Sequence, residues 1–288
     1  MIHDFHYLKP ASLGEALSML AEYGEACKII CGGQSLLILM RQGMVRPEYL
    51  IDIKHLKELD YITFDEKEGL SIGATTTHRT IEKSETVKKY YPVLVEMERN
   101  LASIQTRNWG TIGGNLAHAD PAGDPAPVLI TLGAEVTMTS VNGERKMPLE
   151  DFFVDYFTTE LKENELLKEI RVPPPEPKSA CVYYKFNLLK NDMAIVGVAC
   201  KVTLMDDGTI KDAKICLANA GRVPIRAKKA EESVKGEKYN EKLFEKAGAL
   251  ASSECEPVSD IYGSEEFRRH LVAVLTRRML ASAYKAVK

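Results

Sequence analysis

The segment RNWGTIGGNLAHADPAGDPAP, residues 107–127, combines closely spaced glycines with three prolines and two separated aspartates. Gly110, Gly113 and Gly114 free the backbone for tight turns and close approach. Thr111 and Asn115 offer neutral hydrogen-bonding groups, while Asp120 and Asp124 are acceptors suited to sugar hydroxyls or ring N–H groups. Pro121, Pro125 and Pro127 stiffen the loop and reduce the entropy lost when a ligand binds. Working outward, a second double-glycine stretch, CGGQSLL at 31–37, lies about eighty residues earlier between two apolar segments. A glycine pair after a strand lets successive backbone N–H groups point into one concavity that suits an anion. Gln34 and Ser35 add side-chain donors, and a following helix adds the positive end of its dipole. Neither loop is G-x-G-x-x-G or G-x-x-x-x-G-K-[ST], so the common dinucleotide and phosphate-loop signatures are absent. Alone, the first loop reads as a tight strand-to-helix turn or as an anion cradle, and the aspartates as turn caps or as ligands. Together, a donor-rich turn answers a diphosphate and a rigid acceptor-bearing loop answers a ribitol or ribose.

The whole chain sets bounds on this reading. It has 288 residues, 45% hydrophobic and 27% charged, which suits a soluble protein of two domains. A net charge of −3 gives no reason to expect nucleic acid or an anionic membrane as the main partner. The opening MIHDFHYLKPASLGE lacks the features of a secretory signal, and no apolar run is long enough for a bilayer, so the expected location is the cytoplasm. The six cysteines show no C-x-x-C pair and no zinc or ferredoxin spacing, which predicts buried thiols and no iron–sulfur cluster on this polypeptide.

Patterning predicts a mixed α+β fold. SLGEALSMLAEYG (12–24) reads as a helix with a Ser12/Glu15 capping box and a Gly24 stop. Strand-like CKII (27–30) and EYLIDI (48–53) flank the first glycine loop and a short apolar helix, making a small α/β lobe. YITFDEKEGLSIGA (61–74) and AEVTMTSVNGERKMPL (134–149) read as hairpins, and residues 84–103 as helix broken at Pro92. Four prolines within 173–177 make a stiff connector, which places the main boundary between 1–175 and 176–288, with the first part divided near residue 55. The remainder predicts a three-stranded antiparallel sheet covered by helices. The last helix starts near Ser264 and carries Phe267, Leu271, Val274, Leu275 and Met279 on its expected buried stripe. Glu231-Glu232 and Glu265-Glu266 read as solvated helix faces. His3, His6, His78 and His118 fall short of the three or four converging ligands a metal needs.

The two loops in this order, with the opening F-x-Y-x-x-P-x-S-L-x-E-A pattern and ELLKEIRVP (165–173), strongly resemble the FAD-binding medium subunit of molybdenum hydroxylases. That family includes the flavoproteins of carbon monoxide and xanthine dehydrogenases, and the likeness covers nearly the whole chain. The resemblance implies an FAD-binding domain of the vanillyl-alcohol oxidase and p-cresol methylhydroxylase (PCMH) type, built of two α/β subdomains, followed by a carbon monoxide dehydrogenase flavoprotein-like C-terminal domain. It further implies that Ile30, Cys31, Gly32, Gly33, Gln34, Ser35 and Leu36, with Thr111, Ile112, Gly113, Gly114 and Asn115, cradle the FAD diphosphate. Asp120 and Asp124 would bind sugar or ribityl hydroxyls, Leu101, Ala102 and Leu161 would wall the pocket, and Lys185 would approach the isoalloxazine. Met193 stands where relatives often place an aromatic or branched aliphatic side chain beside the flavin.

By this likeness the chain is an electron-transfer flavoprotein. Its partners would be a small subunit with two 2Fe–2S clusters and a large molybdopterin subunit, assembled as a dimer of heterotrimers. Two other classes stay open on the residues alone. A free-standing FAD-dependent oxidoreductase acting directly on a small substrate would need a proton donor at the flavin and a basic substrate cleft. A non-enzymatic nucleotide-binding or assembly module would carry no flavin.

Overall fold

The computed structural model describes residues 2–287 of the chain. The N-terminal lobe holds three short strands, β1 (His6–Leu8), β2 (Cys27–Ile30) and β3 (Tyr49–Asp52), with helices α1 (Leu13–Tyr23) and α2 (Leu36–Arg41). All pairings are parallel, with β3 central in the order β1-β3-β2. Ser12 caps α1 by accepting from the Glu15 amide. Glu15 reaches back to the Ala11 amide, one residue earlier than the usual capping-box partner. Ala16, Leu17 and Leu20 then bury one face of α1 against Ile51 and Leu59.

The next lobe is a five-stranded antiparallel sheet in the order β4-β5-β10-β6-β7. Its strands are β4 (Ile62–Asp65), β5 (Gly69–Gly73), β6 (Glu135–Ser140), β7 (Gly143–Pro148) and β10 (Leu166–Val172), with the small pair β8 (Phe153–Asp155) and β9 (Thr158–Thr159) beside it. Both expected hairpins are present, and Gly69 and Gly143 take the positive φ their turns require. Helices α3 (His78–Lys83), α4 (Glu85–Tyr90), α5 (Pro92–Asn100), α6 (Ile104–Trp109), α7 (Ile112–His118) and α8 (Pro125–Leu132) cover this lobe. Pro92 opens α5 at a position where its missing N–H costs nothing, which is why the helical run breaks there.

The C-terminal sheet contains the three long strands expected, β11 (Ser179–Phe186), β12 (Val196–Leu204) and β13 (Ile210–Ala218), plus a two-residue fourth, β14 (Ile225–Arg226). Helices α9 (Lys228–Val234), α10 (Glu241–Glu254) and α11 (Glu265–Val287) pack on one face of it. The other face meets the preceding lobe, since Ala199 and Cys216 belong to the core that α5 and α8 share. Covered on both sides, β12 is buried along almost its whole length, so it reads as an apolar run without alternation.

Two expectations for this region need correction. The buried stripe of α11 is Arg268, Leu271, Val272, Leu275, Thr276, Leu280, Ala283 and Tyr284, while Phe267 is exposed. Because α11 touches both the sheet and α10, its contact face is wider than one stripe and rotated from the expected line. Glu231 is buried, not solvated. It accepts from the Ile215 amide at 2.7 Å and from Arg226 at 2.7 Å through both oxygens, because α9 docks on β13 and β14.

Candidate functional site

The two glycine loops touch. A Cβ built on Gly32 would lie 2.5 Å from the Trp109 carbonyl oxygen and 2.6 Å from the Gly110 Cα, so only a glycine lets these backbones meet. Lys54 donates to the Trp109 carbonyl while lying over the indole. On the other side the His78 amide donates to the Gly110 carbonyl at 3.1 Å, and Thr77 bridges to Thr111. Residues 107–115 are therefore held between the small N-terminal lobe and α3.

A cleft of about 610 Å³ runs from this junction to the C-terminal domain. Gly32, Gly33, Gln34 and Ser35 line it from one loop, and Thr111, Gly114 and Asn115 from the other. The Ser35 hydroxyl does not cap α2, whereas Thr111 caps α7 through the Gly114 amide at 3.2 Å. Leu101, Ala102, Asp120, Asp124, Lys185 and Met193 complete the expected set on its walls. Of the other residues singled out, Ile30, Cys31, Leu36, Ile112 and Gly113 stand behind the loops without opening on the cleft. Gly113 serves packing: a Cβ there would fall 2.5 Å from the Ala74 Cβ. Leu161 is not on the cleft wall. It borders a separate depression with Leu20, Ala21 and Gly24, because residues 160–164 run toward α1. Its expected place is taken by Phe157, whose φ of 53° is left-handed and unusual for a bulky residue. The Phe157 amide is pinned to the Ala119 carbonyl, and its ring sits 5.2 Å from that of His118.

Lys185 and Asp124 form the electrostatic centre of the far end. Lys185 Nζ donates to Asp124 Oδ2 at 2.7 Å and to the Asn100 carbonyl at 2.8 Å, with both side chains under a tenth exposed. The Tyr183 hydroxyl donates to the other Asp124 oxygen at 2.6 Å. Burial pushes the Asp124 carboxyl up and Lys185 opposes it. Asp124, expected as a hydroxyl ligand, lines the cleft while each of its oxygens accepts one hydrogen bond within the protein, which fixes Lys185 beside it. Lys185 lies on the edge strand β11, yet α5 covers that edge and makes it a buried ion-pair partner. Met193 is reached through a braced loop: Asn219 donates to the Ala194 carbonyl at 2.6 Å, and buried Arg268 donates to the Ile195 carbonyl at 2.6 Å.

Sequence reasoning weighed His78 and His118 only as metal ligands and passed over Phe157 and Arg268. Each is a lone residue whose place depends on a tertiary contact, so no local spacing marks it. The site chemistry suits an elongated nucleotide: neutral N–H and hydroxyl donors where the loops meet, acceptors midway, and apolar Leu39, Leu101 and Met193 as ring-sized flanks. Among the described residues no three His, Cys, Asp or Glu side chains converge to hold a metal, and no helix is long and apolar enough to cross a membrane.

Comparison with known proteins agrees with this geometry. Residues 3–175 match the FAD binding domain in molybdopterin dehydrogenase, and residues 182–283 match the CO dehydrogenase flavoprotein C-terminal domain. The chain is 36% identical over 280 residues to the 6-hydroxypseudooxynicotine dehydrogenase complex subunit alpha of Paenarthrobacter nicotinovorans, covering 97% of this chain and 94% of that one. It is 35% identical to the glyceraldehyde dehydrogenase medium chain of Sulfolobus acidocaldarius, covering 96% of each. A solved chain of carbon monoxide dehydrogenase from Hydrogenophaga pseudoflava superposes with a TM-score of 0.96 at 32% identity, covering 99% of both chains. With loops, cleft and C-terminal sheet all accounted for, this chain belongs to the FAD-binding medium subunits of the molybdenum hydroxylases, oxidoreductase components whose cofactor is FAD.

Proposed function

We propose that this chain is the electron-transfer subunit that carries FAD between the 2Fe–2S clusters of a small partner subunit and an external acceptor, with substrate oxidised on a large molybdopterin subunit. When bound, FAD supplies the redox chemistry, and the protein supplies position and electrostatics. Gly32–Ser35 and the Thr111–Asn115 turn hold its diphosphate, Asp120 takes hydroxyls, and the Asp124–Lys185 pair fixes one end of the cleft. The observation that carries this reading is the direct contact of the two glycine loops at the head of one cleft. Among the described residues, Lys185 is the sole lysine or arginine on the cleft wall, and it is already paired with Asp124. A basic substrate cleft of the kind a free-standing reductase needs is therefore not built here. Exposed Leu188, Leu189 and Met193 at the rim, with Ile261 91% exposed nearby, offer the apolar surface that a subunit of a larger assembly covers.

The test is purification from the native source with partners attached. FAD, iron–sulfur and molybdenum signals should travel together as a dimer of heterotrimers in the cytoplasmic fraction. Turnover of a small substrate by the isolated flavinated chain, with no partner present, would replace this reading by the free-standing one.

A further inference from the structure

Residues 187–195 join β11 to β12 and rim the cleft at the end away from the glycine loops. The rim is a tight turn: the Asp192 amide donates to the Leu189 carbonyl at 3.1 Å, and Asp192 Oδ2 accepts from the Leu189 amide at 3.2 Å. At the base of the loop the Ile195 amide donates to the Phe186 carbonyl at 2.8 Å. Asn191 is the third residue of the turn, with a φ of 72° that glycine and asparagine tolerate best. It borders the cleft and also a second depression beside Arg99, Tyr184 and Lys190. Its Oδ1 is buried and has no hydrogen-bond partner within the protein.

A buried acceptor without a donor is costly, and folded proteins seldom leave one. The hydroxyls of Thr75, Thr131 and Thr276, Glu98 Oε2 and Arg268 Nε are also buried without partners, but none of those residues lines the cleft. The other acceptors at this end already receive protein donors. Asp124 takes Tyr183 and Lys185, the Asn100 carbonyl takes Lys185, Asp120 takes the Ala122 amide at 2.9 Å, and Asp192 takes the Leu189 amide. Asn191 Oδ1 receives none. An oxidised isoalloxazine, for its part, carries carbonyl oxygens and ring nitrogens that accept, and one N–H, at the imide N3, that donates. A ring placed at this end needs one acceptor for that group.

We propose that Asn191 accepts the imide N3–H of the FAD ring through Oδ1. The inference rests on the cofactor placement given under Proposed function, with the ring at the Lys185 end. It gives a reason for asparagine at this turn position. Glycine would take the same φ freely, but it would leave the imide N–H without its acceptor.

The experiment titrates the full-length chain, stripped of flavin, with FAD and with FAD methylated at N3, followed by flavin fluorescence. The wild type should bind FAD about tenfold more tightly than the methylated cofactor, because the methyl group removes the donor and leaves Oδ1 unpaired. Asn191→Gly should bind FAD about fivefold more weakly than the wild type and separate the two cofactors by less than about twofold. Its urea midpoint without flavin should stay close to that of the wild type, since glycine takes this φ without strain. Wild-type FAD affinity in Asn191→Gly, or wild-type discrimination retained there, would overturn the inference. So would a wild type that binds both cofactors alike, and that comparison carries the test alone should the variant fail to fold. No binding of FAD by the stripped wild type would instead sink the cofactor placement itself.

Discussion

Replacing Gly32 by alanine tests the contact on which the cleft depends. The added Cβ would stand 2.5 Å from the Trp109 carbonyl oxygen, 2.6 Å from the Gly110 Cα and 3.0 Å from the Gly110 nitrogen. All three are backbone atoms, so no side-chain rotation relieves the clash. Restoring ordinary contact requires the loops to part by roughly 0.9 Å, which strains packing by about 1–3 kcal/mol. The same movement pulls one row of donors away from the other. Losing a single charge-assisted hydrogen bond to a phosphate costs about 1.5–3 kcal/mol, or about 10- to 150-fold in Kd. Titration of the stripped chain with FAD, alongside urea unfolding without FAD, separates the two effects. The expected result is a marked loss of affinity with a smaller loss of stability. Wild-type affinity and wild-type unfolding in Gly32→Ala would mean that the loops need not touch, and the cradle as described would be wrong.

Other substitutions sort structural from ligand-facing roles. Gly113→Ala drives its Cβ to 2.5 Å from the Ala74 Cβ, so it should lower the thermal midpoint by about 2–4 °C per kcal/mol lost, with FAD affinity of the folded protein changed less than in Gly32→Ala. Lys185→Met strands a buried Asp124 carboxylate and should cost about 3–5 kcal/mol in urea unfolding, most of it recovered in the double variant with Asp124→Leu; equal losses in the single and double variants would refute the pairing. Glu165 binds Arg145 through both oxygens at 2.8 Å, and that hydrogen bond holds its carboxyl below the usual range. A depressed folded-state value gives stability that is present above the unfolded carboxylate range, about 4.3, and is lost as pH falls through the folded value. Glu165→Gln should therefore cost about 1 kcal/mol at pH 7 and progressively less below pH 4, whereas an equal cost at both would exclude this charge effect.

Much of the local structure is legible in the residues. Ser12, Gly24, Pro92, Gly69 and the Asn142-Gly143 pair each act through their own backbone or a near neighbour, so the elements they bound fall where the sequence puts them. The site is legible where it is made of backbone: the glycine loops announce themselves because close approach admits few other residues. What is hidden are the partnerships made at long range. β10 inserts between β5 and β6, an order no periodicity encodes. Leu161 and Phe157 are four residues apart, and only the loop's path decides which one faces the cleft. Glu98 and Glu231 look like any helix-surface acid until His78 and the Ile215 amide arrive from other elements.

The Asp124–Lys185–Tyr183 knot also ties the C-terminal domain to the lobe that carries the second glycine loop. Swinging the C-terminal domain away would tear a buried carboxylate from both of its donors at once. On the opposite side, the small N-terminal lobe meets the seam through the Lys54–Trp109 contact and bare glycine backbone, and packs on buried Leu59 and Leu166 of the next lobe. Parting the cleft at the C-terminal domain would therefore cost an ion pair and two buried hydrogen bonds together.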